Sequence, residues 1–501
     1  MLKYIHKATV AFIALSMAMV SCKKSFLEVV PKGQLVAKNY EDYNLLMNSS
    51  TFYLYGTIGI WQPAMLMGDD VSAEENYFNQ SSSPEANLLF QWNPDIFVPS
   101  TASYSNSDRP LFLQTIFGNI YTLNKIINEV NGSDGGTLQQ KKEVAAEAKV
   151  TRAFTNFQLI NYFAKPYNAS TAGSDPGFPM ITTADITATD FKRGTLQQMY
   201  DFIISDITAA LPDLNTAPKI RTRWSRAAAE GFLGKVYLFM GKNTDALSML
   251  NAAFTDLGKM GAIPKLYDYN QAFAANGAFQ PIDPIYGPNT PYNNLTDLTE
   301  SVVFVASYSG NYDGNNFGND FLTIDPKTLS LFSASDLRLN LFTNLQQDQT
   351  TIEGGRVRRY TVPYSSYARI GLEMPDLYLL RAEAKARTND LTGAVTDVET
   401  LRKNRMPAAD ATVPSSVSGN QNALVKFIIN ERQREFAGLG YRWWDMRRLS
   451  VDPVFTGTAA ATHTLFLTGG GSTQFTLKPE RLTLRIPNFY LKGHPDMVNN
   501  P

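Results

Sequence analysis

The chain has 501 residues, 44% hydrophobic and 12% aromatic, which is enough for a large buried core and excludes a chain that stays disordered. Its 45 basic and 46 acidic residues nearly cancel, so the electrostatic footprint of a nucleic-acid partner is missing. The single cysteine, Cys22, excludes intrachain disulfides, cysteine metal clusters and redox pairs.

At the N-terminus Lys3 and Lys7 precede the mostly apolar run from Ala8 to Val20, and the small Ser21 stands before Cys22. This is the layout of an export signal, and the run is shorter than the roughly 20 residues a spanning helix needs. Met19-Val20-Ser21-Cys22 resembles a bacterial lipobox, with Met19 where leucine is more usual, and implies cleavage before Cys22 and acylation of its thiol. Two or more acyl chains, at about 0.8 kcal/mol per buried methylene, anchor stably where one is marginal. The expected organisation is a signal peptide over 1–21, a lipidated tether over 22–34 broken by Pro31 and Gly33, and a body over 35–501. The competing reading is a soluble secreted protein.

The body reads as mainly α. Periodic apolar residues predict helices over Val144 to Phe163, Ala227 to Met240, Ala246 to Phe254, Pro375 to Arg387, Leu391 to Arg405 and Ala423 to Phe436. Between the first two, Thr195-Leu196-Gln197-Gln198 fits a capping box, and Leu196, Met199, Ile203, Ile207 and Ala210 follow at helical steps until Pro212. Leu233, Gly234, Tyr237, Ala246, Leu250 and Ala253, with Gly241-Lys242-Asn243 as the turn, have the spacing of a tetratricopeptide pair. Tyr378, Ala382, Ala394 and Val398 echo it around Asn389-Asp390, but the copies are degenerate and far apart in the chain.

Long polar and aromatic segments, Thr51 to Pro110, Lys265 to Leu329 and Ser450 to Gln474, read as irregular loops. Thr464 to Leu467 and Gln474 to Leu477, with Gly469-Gly470-Gly471 between them, predict a minor β-hairpin.

Several motifs in order resemble one family, the SusD/RagB-like outer-membrane nutrient-binding lipoproteins of Bacteroidetes. Cys22-Lys23-Lys24-Ser25-Phe26-Leu27-Glu28 resembles its opening, and Tyr121 to Val130 an early helix. Glu147-Ala148-Lys149 through Arg152-Ala153-Phe154 resembles its next signature. Arg381-Ala382-Glu383-Ala384 with Leu401 to Arg405 resembles its paired-helix motif, and Glu431 to Phe436 through Gly440 to Arg448 its most recognisable segment. Ile486-Pro487 and Asn499-Asn500-Pro501 resemble its close. The resemblance implies four tetratricopeptide-like pairs, and a body whose parts, about 35–212 and about 213–501, intertwine in one unit. It further implies a lipid-anchored protein at the outer membrane, facing the exterior, that binds an oligomeric nutrient and passes it to a TonB-dependent, SusC-like transporter. A glycan is the expected ligand; a peptide ligand and a partner-holding scaffold without ligand are the alternatives. No cofactor is implied.

Sugar rings expose apolar C–H faces, so a glycan site needs flat aromatic side chains beside polar groups. The loops supply both, and the candidates are Trp61, Asp70, Tyr77, Trp92, Tyr292 and Tyr312, among neighbours that include Asp69, Tyr104, Tyr286, Asn293 and Asn316. Buried packing is the competing reading for each tryptophan. The cluster of Arg442, Trp443, Trp444, Asp445, Arg447 and Arg448 reads as scaffold, paired internally with Glu431, Arg432, Arg434 and Glu435. Arg221, Arg223, Trp224 and Arg226 read as support for the helix that follows.

Catalytic options are thin. Past the signal only His463 and His494 remain, no Gly-x-Ser-x-Gly elbow occurs, and the glycine run opens no phosphate-binding helix. Asp69, Asp70, Glu74 and Glu75 are the carboxylates that glycoside hydrolysis or a calcium ion would use, without the pattern of either. The expected class is therefore a binding protein. Cys22→Ala is expected to move the protein from the membrane to the soluble fraction of lysed cells; retention in the membrane fraction would refute the tether.

Overall fold

The long helices begin where a short polar side chain satisfies the first free amides. The Gln198 amide donates to Thr195 Oγ1, and the Thr195 amide to Gln198 Oε1, the reciprocal cap that the sequence predicts. Thr137 and Gln140 repeat it. The computed structural model describes residues 37–55, 60–80, 84–97, 111–188, 191–284, 287–308, 321–345, 349–352, 357–358, 367–494 and 496–501. The signal, the tether with Cys22, Tyr104, Tyr286, Tyr312 and Asn316 lie outside the described residues.

The helices used below are α1 (Tyr40–Leu46), α2 (Gln62–Met67), α3 (Glu75–Gln80), α4 (Pro84–Phe90), α5 (Leu111–Glu129), α6 (Leu138–Phe163) and α7 (Leu196–Ala210). They continue with α8 (Arg226–Phe239), α9 (Asn243–Leu257), α10 (Met374–Arg387), α11 (Leu391–Lys403), α12 (Gln421–Glu435) and α13 (Tyr441–Leu449). The strands are β1 (Leu54–Tyr55), β2 (Val71–Glu74), β3 (Ala306–Tyr308), β4 (Leu322–Ile324), β5 (Tyr367–Arg369), β6 (Thr462–Phe466) and β7 (Ser472–Thr476). Helix α6 starts at Leu138, ahead of the predicted Val144. Its first residues are polar and mostly solvent-facing, so they carry no apolar period, and the Thr137 cap alone marks the start.

The fold is mainly α, a tetratricopeptide-like scaffold of helical pairs with long connections and few short strands. Helices α8 and α9 pair through Gly241, at φ 71°, and α10 and α11 through Asn389, at φ 68°. Both turns need the left-handed region, which glycine and asparagine enter most readily. A Cβ on Gly234 would stand 2.6 Å from Leu250 Cγ, so glycine is what lets α8 and α9 approach. The two pairs are distant in sequence but adjacent in space: α9 packs on α10, and α10 on α12, while α5, α6 and α7 pack in succession.

The segment between α9 and α10 leaves this stack and supplies strands. Strand β3 pairs in parallel with β1 and antiparallel with β5, Tyr308 opposite Tyr367. The predicted hairpin exists as β6–β7, with Gly469, Gly470 and Gly471 all at positive φ. It is half of a larger sheet, because β6 also runs parallel to β2, which pairs antiparallel with β4. Thr51 to Pro110 is likewise not the irregular face its composition suggests. It contains α2, β2, α3 and α4, and Ala64 to Met67 are buried in the main core with Leu89, Ile160, Leu233, Leu380 and Trp443.

The end of α6 is closed by the C-terminal segment. Arg447 Nη2 donates to Ala164 O (2.5 Å), and Asn500 Nδ2 and Arg193 Nη2 donate to Phe163 O (2.8 and 3.1 Å). Positive and amide donors at a helix C-terminus satisfy carbonyls that have no partner in the helix.

Buried ions hold the second half together. Glu431 is ringed by Arg338 (2.7 Å), Arg402 (2.7 Å) and Arg434 (2.5 Å), and Glu435 pairs with Arg338 and Arg405 (2.8 Å each). Arg432 bridges Asp376 (2.7 Å) and Asp445 (3.0 Å), and Arg448 bridges Asp445 and Glu383. Of the pairing expected between residues 431–435 and 442–448, only Arg432 with Asp445 is present among the described residues; Arg442 pairs instead with Asp69, and Glu431 and Glu435 with Arg338, Arg402, Arg405 and Arg434. Burial alone would raise these carboxylates, but the guanidiniums outweigh it: Arg448 and Arg387 hold Glu383 at about 2, and Arg434, Arg338 and Arg402 hold Glu431 well below the ordinary range. A pKa depressed by folding stabilises the protein above the unfolded value near 4.5, and that stability is lost as pH falls towards about 2. Acid unfolding monitored by circular dichroism is expected in this window. Glu431→Gln, which leaves buried guanidiniums short of a charge, is expected to lower the unfolding free energy by about 3–5 kcal/mol in denaturant titrations at neutral pH.

Candidate functional site

Three of the sequence-derived candidates are core residues. Trp61 is 4% exposed; its Nε1 donates to Leu439 O (2.6 Å), and its ring stacks on Trp444 at 5.1 Å and meets Tyr441 edge-on at 5.4 Å. Trp92 is also 4% exposed, donates from Nε1 to Met67 O (3.0 Å) and stacks on His463 at 3.8 Å. Asp70 is 1% exposed and accepts from the Gly438 amide (2.8 Å). The physical reason is common to all three: α2 and β2 pack against α13 and β6, so these side chains fill the space between segments far apart in the chain. A saccharide ring cannot stack on the faces of Trp61 or Trp92, or reach Asp70.

Burial also sets Asp70 apart from its neighbour Asp69. It pushes Asp70 up to about 7, with the charge of Asp69 adding to it, whereas Arg442 holds Asp69 below the ordinary range against its own burial. A carboxylate with a raised pKa beside one with a lowered pKa has the outward form of an acid–base pair. Asp70 is nevertheless closed off by Gly438, and Asp69 is occupied by Arg442, so these two do not flank a substrate. His463 lies between the rings of Phe90 and Trp92, its nitrogens 2.6 and 2.7 Å from Phe90 O and Gly68 O. Among the described residues no group of three His, Cys, Asp or Glu is placed to hold a metal ion.

Tyr77 and Tyr292 keep solvent access. Tyr77 sits on α3, directly after β2, and shares a hydrogen bond with Thr350 (3.0 Å). Its helix is tied to the β6–β7 hairpin, where the Thr468 amide donates to Glu75 (2.9 Å). Tyr292 lies in a single 3-10 turn, Pro291–Asn293. The turn is fixed from outside by Arg369 on β5, whose Nη2 reaches Pro291 O (2.6 Å), Asn294 O (2.8 Å) and Asp297 O (3.1 Å). Sequence reasoning missed Arg369, since one arginine in a strand gives no signal until the loop it holds is in place. It also missed Tyr367, half-buried on β5 and edge-on to Tyr308 at 5.6 Å. The Tyr77 and Tyr292 rings are half-buried and packed against the main core, so each can offer only its exposed part to a polyhydroxylated ligand.

This fold defines a class, the tetratricopeptide-like helical scaffolds with long connections and few short strands. A model of starch-binding proteins associating with the outer membrane, SusD-like, matches residues 39–238, and a model of the SusD family matches 357–484. The chain belongs to the SusD family. It is similar to SusD-like protein P38 of Formosa agariphila, 22% identical over 426 residues that cover 75% of this chain and 77% of that one. Among solved structures it resembles a SusD superfamily protein of Bacteroides thetaiotaomicron, with TM-score 0.69, 18% identity, and 92% and 100% of the two chains covered. A laminarin-binding SusD-like protein matches with TM-score 0.60, 17% identity, and 93% and 100% coverage. Among the described residues no helix is long and apolar enough to cross a membrane.

If Trp61 is a packing residue, Trp61→Ala should cost about 3–5 kcal/mol of stability in denaturant titrations. The folded fraction should keep its ligand affinity.

Proposed function

We propose that this chain is a non-catalytic outer-membrane lipoprotein, anchored through Cys22 and facing the cell exterior, that captures an oligomeric glycan and delivers it to a TonB-dependent, SusC-like transporter. Its organisation on this reading is a signal peptide over 1–21, a lipidated tether over 22–34, and one intertwined body over 35–501. The carrying observation is the match to the starch-binding, outer-membrane family model over 39–238, continued by the SusD family model over 357–484. The partly exposed rings of Tyr77 and Tyr292 support a glycan, and the similarity to a protein named for laminarin binding points the same way. Burial of Asp70, and the pairing of Asp69 with Arg442, support capture rather than hydrolysis.

The mechanism is binding and hand-over. Acyl chains at the tether keep the body near the transporter at high effective concentration, so a modest interface suffices for repeated docking and release. Binding requires no cofactor.

Native gels containing laminarin, starch or other polysaccharides test the reading. Retardation is expected, and Tyr77→Ala and Tyr292→Ala should each weaken it by about 0.5–1.5 kcal/mol, the worth of one aromatic contact. Retention of peptides instead would turn the reading to peptide capture, and product formation would make the protein an enzyme.

A further inference from the structure

The sheet ordered β7, β6, β2, β4 has one covered edge and one open edge. At β4 all three residues are buried. At β7 four of the five residues are exposed, and among the described residues only β6 pairs with it.

The register fixes which groups face outward. The Leu467 amide donates to Gly471 O (3.1 Å) and the Leu477 amide to Ala461 O (2.9 Å), so the bonded positions continue through Leu465 with Thr473 and His463 with Phe475. Bonded and non-bonded positions alternate in an antiparallel ladder. The amides and carbonyls of Ser472, Gln474 and Thr476 therefore point away from β6, and none of them bonds to a described residue.

Folded proteins blunt such an edge with lysine, proline, a bulge or a covering element. Among the described residues β7 has none of these. It reads Ser-Thr-Gln-Phe-Thr, its register runs without a shift, and the Phe475 ring turns inward to meet Phe90 at 6.1 Å.

The strand is also complementary to itself. A two-fold axis through Gln474 sets this residue against its own copy and Ser472 against Thr476, so every outward amide meets an outward carbonyl. On the solvent face hydroxyl then opposes hydroxyl and amide opposes amide, pairs that stabilise a sheet, whereas like charges would oppose it. No Asp, Glu, Lys or Arg occurs between Asp452 and Lys478, and Lys478 itself falls opposite the glycine turn of the second copy.

We propose that β7 is the contact through which two copies of this chain pair edge to edge, antiparallel about Gln474, joining their sheets into one. Five residues from each copy bury far less than the roughly 1,200 Å² of a permanent interface, so the pair forms between copies held at one membrane. In that respect it rests on the reading of a lipid-anchored chain.

Disulfide trapping of the full chain in lysed cells tests it. The one natural cysteine, Cys22, is the acylation site, so Gln474→Cys supplies the free thiol. Residues directly opposed in an antiparallel pair have Cα atoms about 5.5 Å apart, within disulfide reach, whereas the two copies of residue 472 would stand about 14 Å apart. With copper phenanthroline as oxidant, Gln474→Cys is expected to give roughly tenfold or more disulfide-linked dimer than Ser472→Cys on non-reducing gels. Adding Ser472→Lys and Thr476→Lys to Gln474→Cys, which sets lysine against lysine, should return the chain to monomer. The proposal is overturned if Gln474→Cys stays monomeric, if Ser472→Cys links as well, or if the two lysines leave the dimer intact. Membrane and soluble fractions are run separately, so that failure of the anchor shows as a move to the soluble fraction and failure of pairing as monomer in the membrane fraction.

Discussion

A carboxylate buried among three guanidiniums is the constraint on which the second half of this protein depends. Glu431 on α12 binds Arg338, Arg402 and Arg434, and the next residue of the same helix, Arg432, heads a second set of alternating charges through Asp376, Asp445, Arg448 and Glu383. Removing these ions from water is costly, and the cost is offset only when every charge has its partners in good geometry. The network therefore admits one arrangement of α10, α11, α12 and α13. With α13 held this way, Trp443 and Trp444 face the core, and Trp61 stacks on Trp444 and bonds to Leu439 O.

That sequence of consequences separates scaffold from binding surface. An arginine- and tryptophan-rich segment has the composition of a ligand site, yet Arg447 closes the end of α6 and Arg448 is saturated by Glu383 and Asp445. The half-buried tyrosines Tyr77 and Tyr292 instead stand on elements that the network positions indirectly. Tyr77 follows β2, which is anchored between β4 and β6, and Tyr292 rides on a turn gripped by Arg369, whose own carbonyl accepts from Tyr441 at the start of α13 (2.6 Å). A rigid interior thus presents short, precisely held loops, which suits recognition without large rearrangement.

Much of the fold was legible in the chain itself. Capping residues, apolar steps of three and four, and the turns at Gly241 and Asn389-Asp390 are local signals, and they located α6 to α12 and both helical pairs, but not α1 to α4 or α13. That Glu431 to Arg448 is scaffold rather than ligand site followed from the family resemblance of the segment, but most of its partners, Arg338, Arg402, Arg405, Asp376 and Glu383, lie elsewhere in the chain. The candidate site was much less legible. Trp61, Asp70 and Trp92 are buried, and nothing within their own segment says so, because the groups that cover them, Leu439, Gly438 and His463, come from the other end of the chain.

By itself, then, the amino-acid order determined what depends on near neighbours: the export-signal layout before Cys22, the helical periods and their caps, and the single cysteine that excludes disulfide chemistry. Only the tertiary structure decided which aromatic residues face water, that the predicted hairpin widens into a four-stranded sheet, and that β7 keeps an open edge among the described residues. The reason is physical. Helix propensity and capping act over three or four residues, whereas burial and the meeting of charges depend on which distant surfaces pack together, and that is settled when the whole core closes.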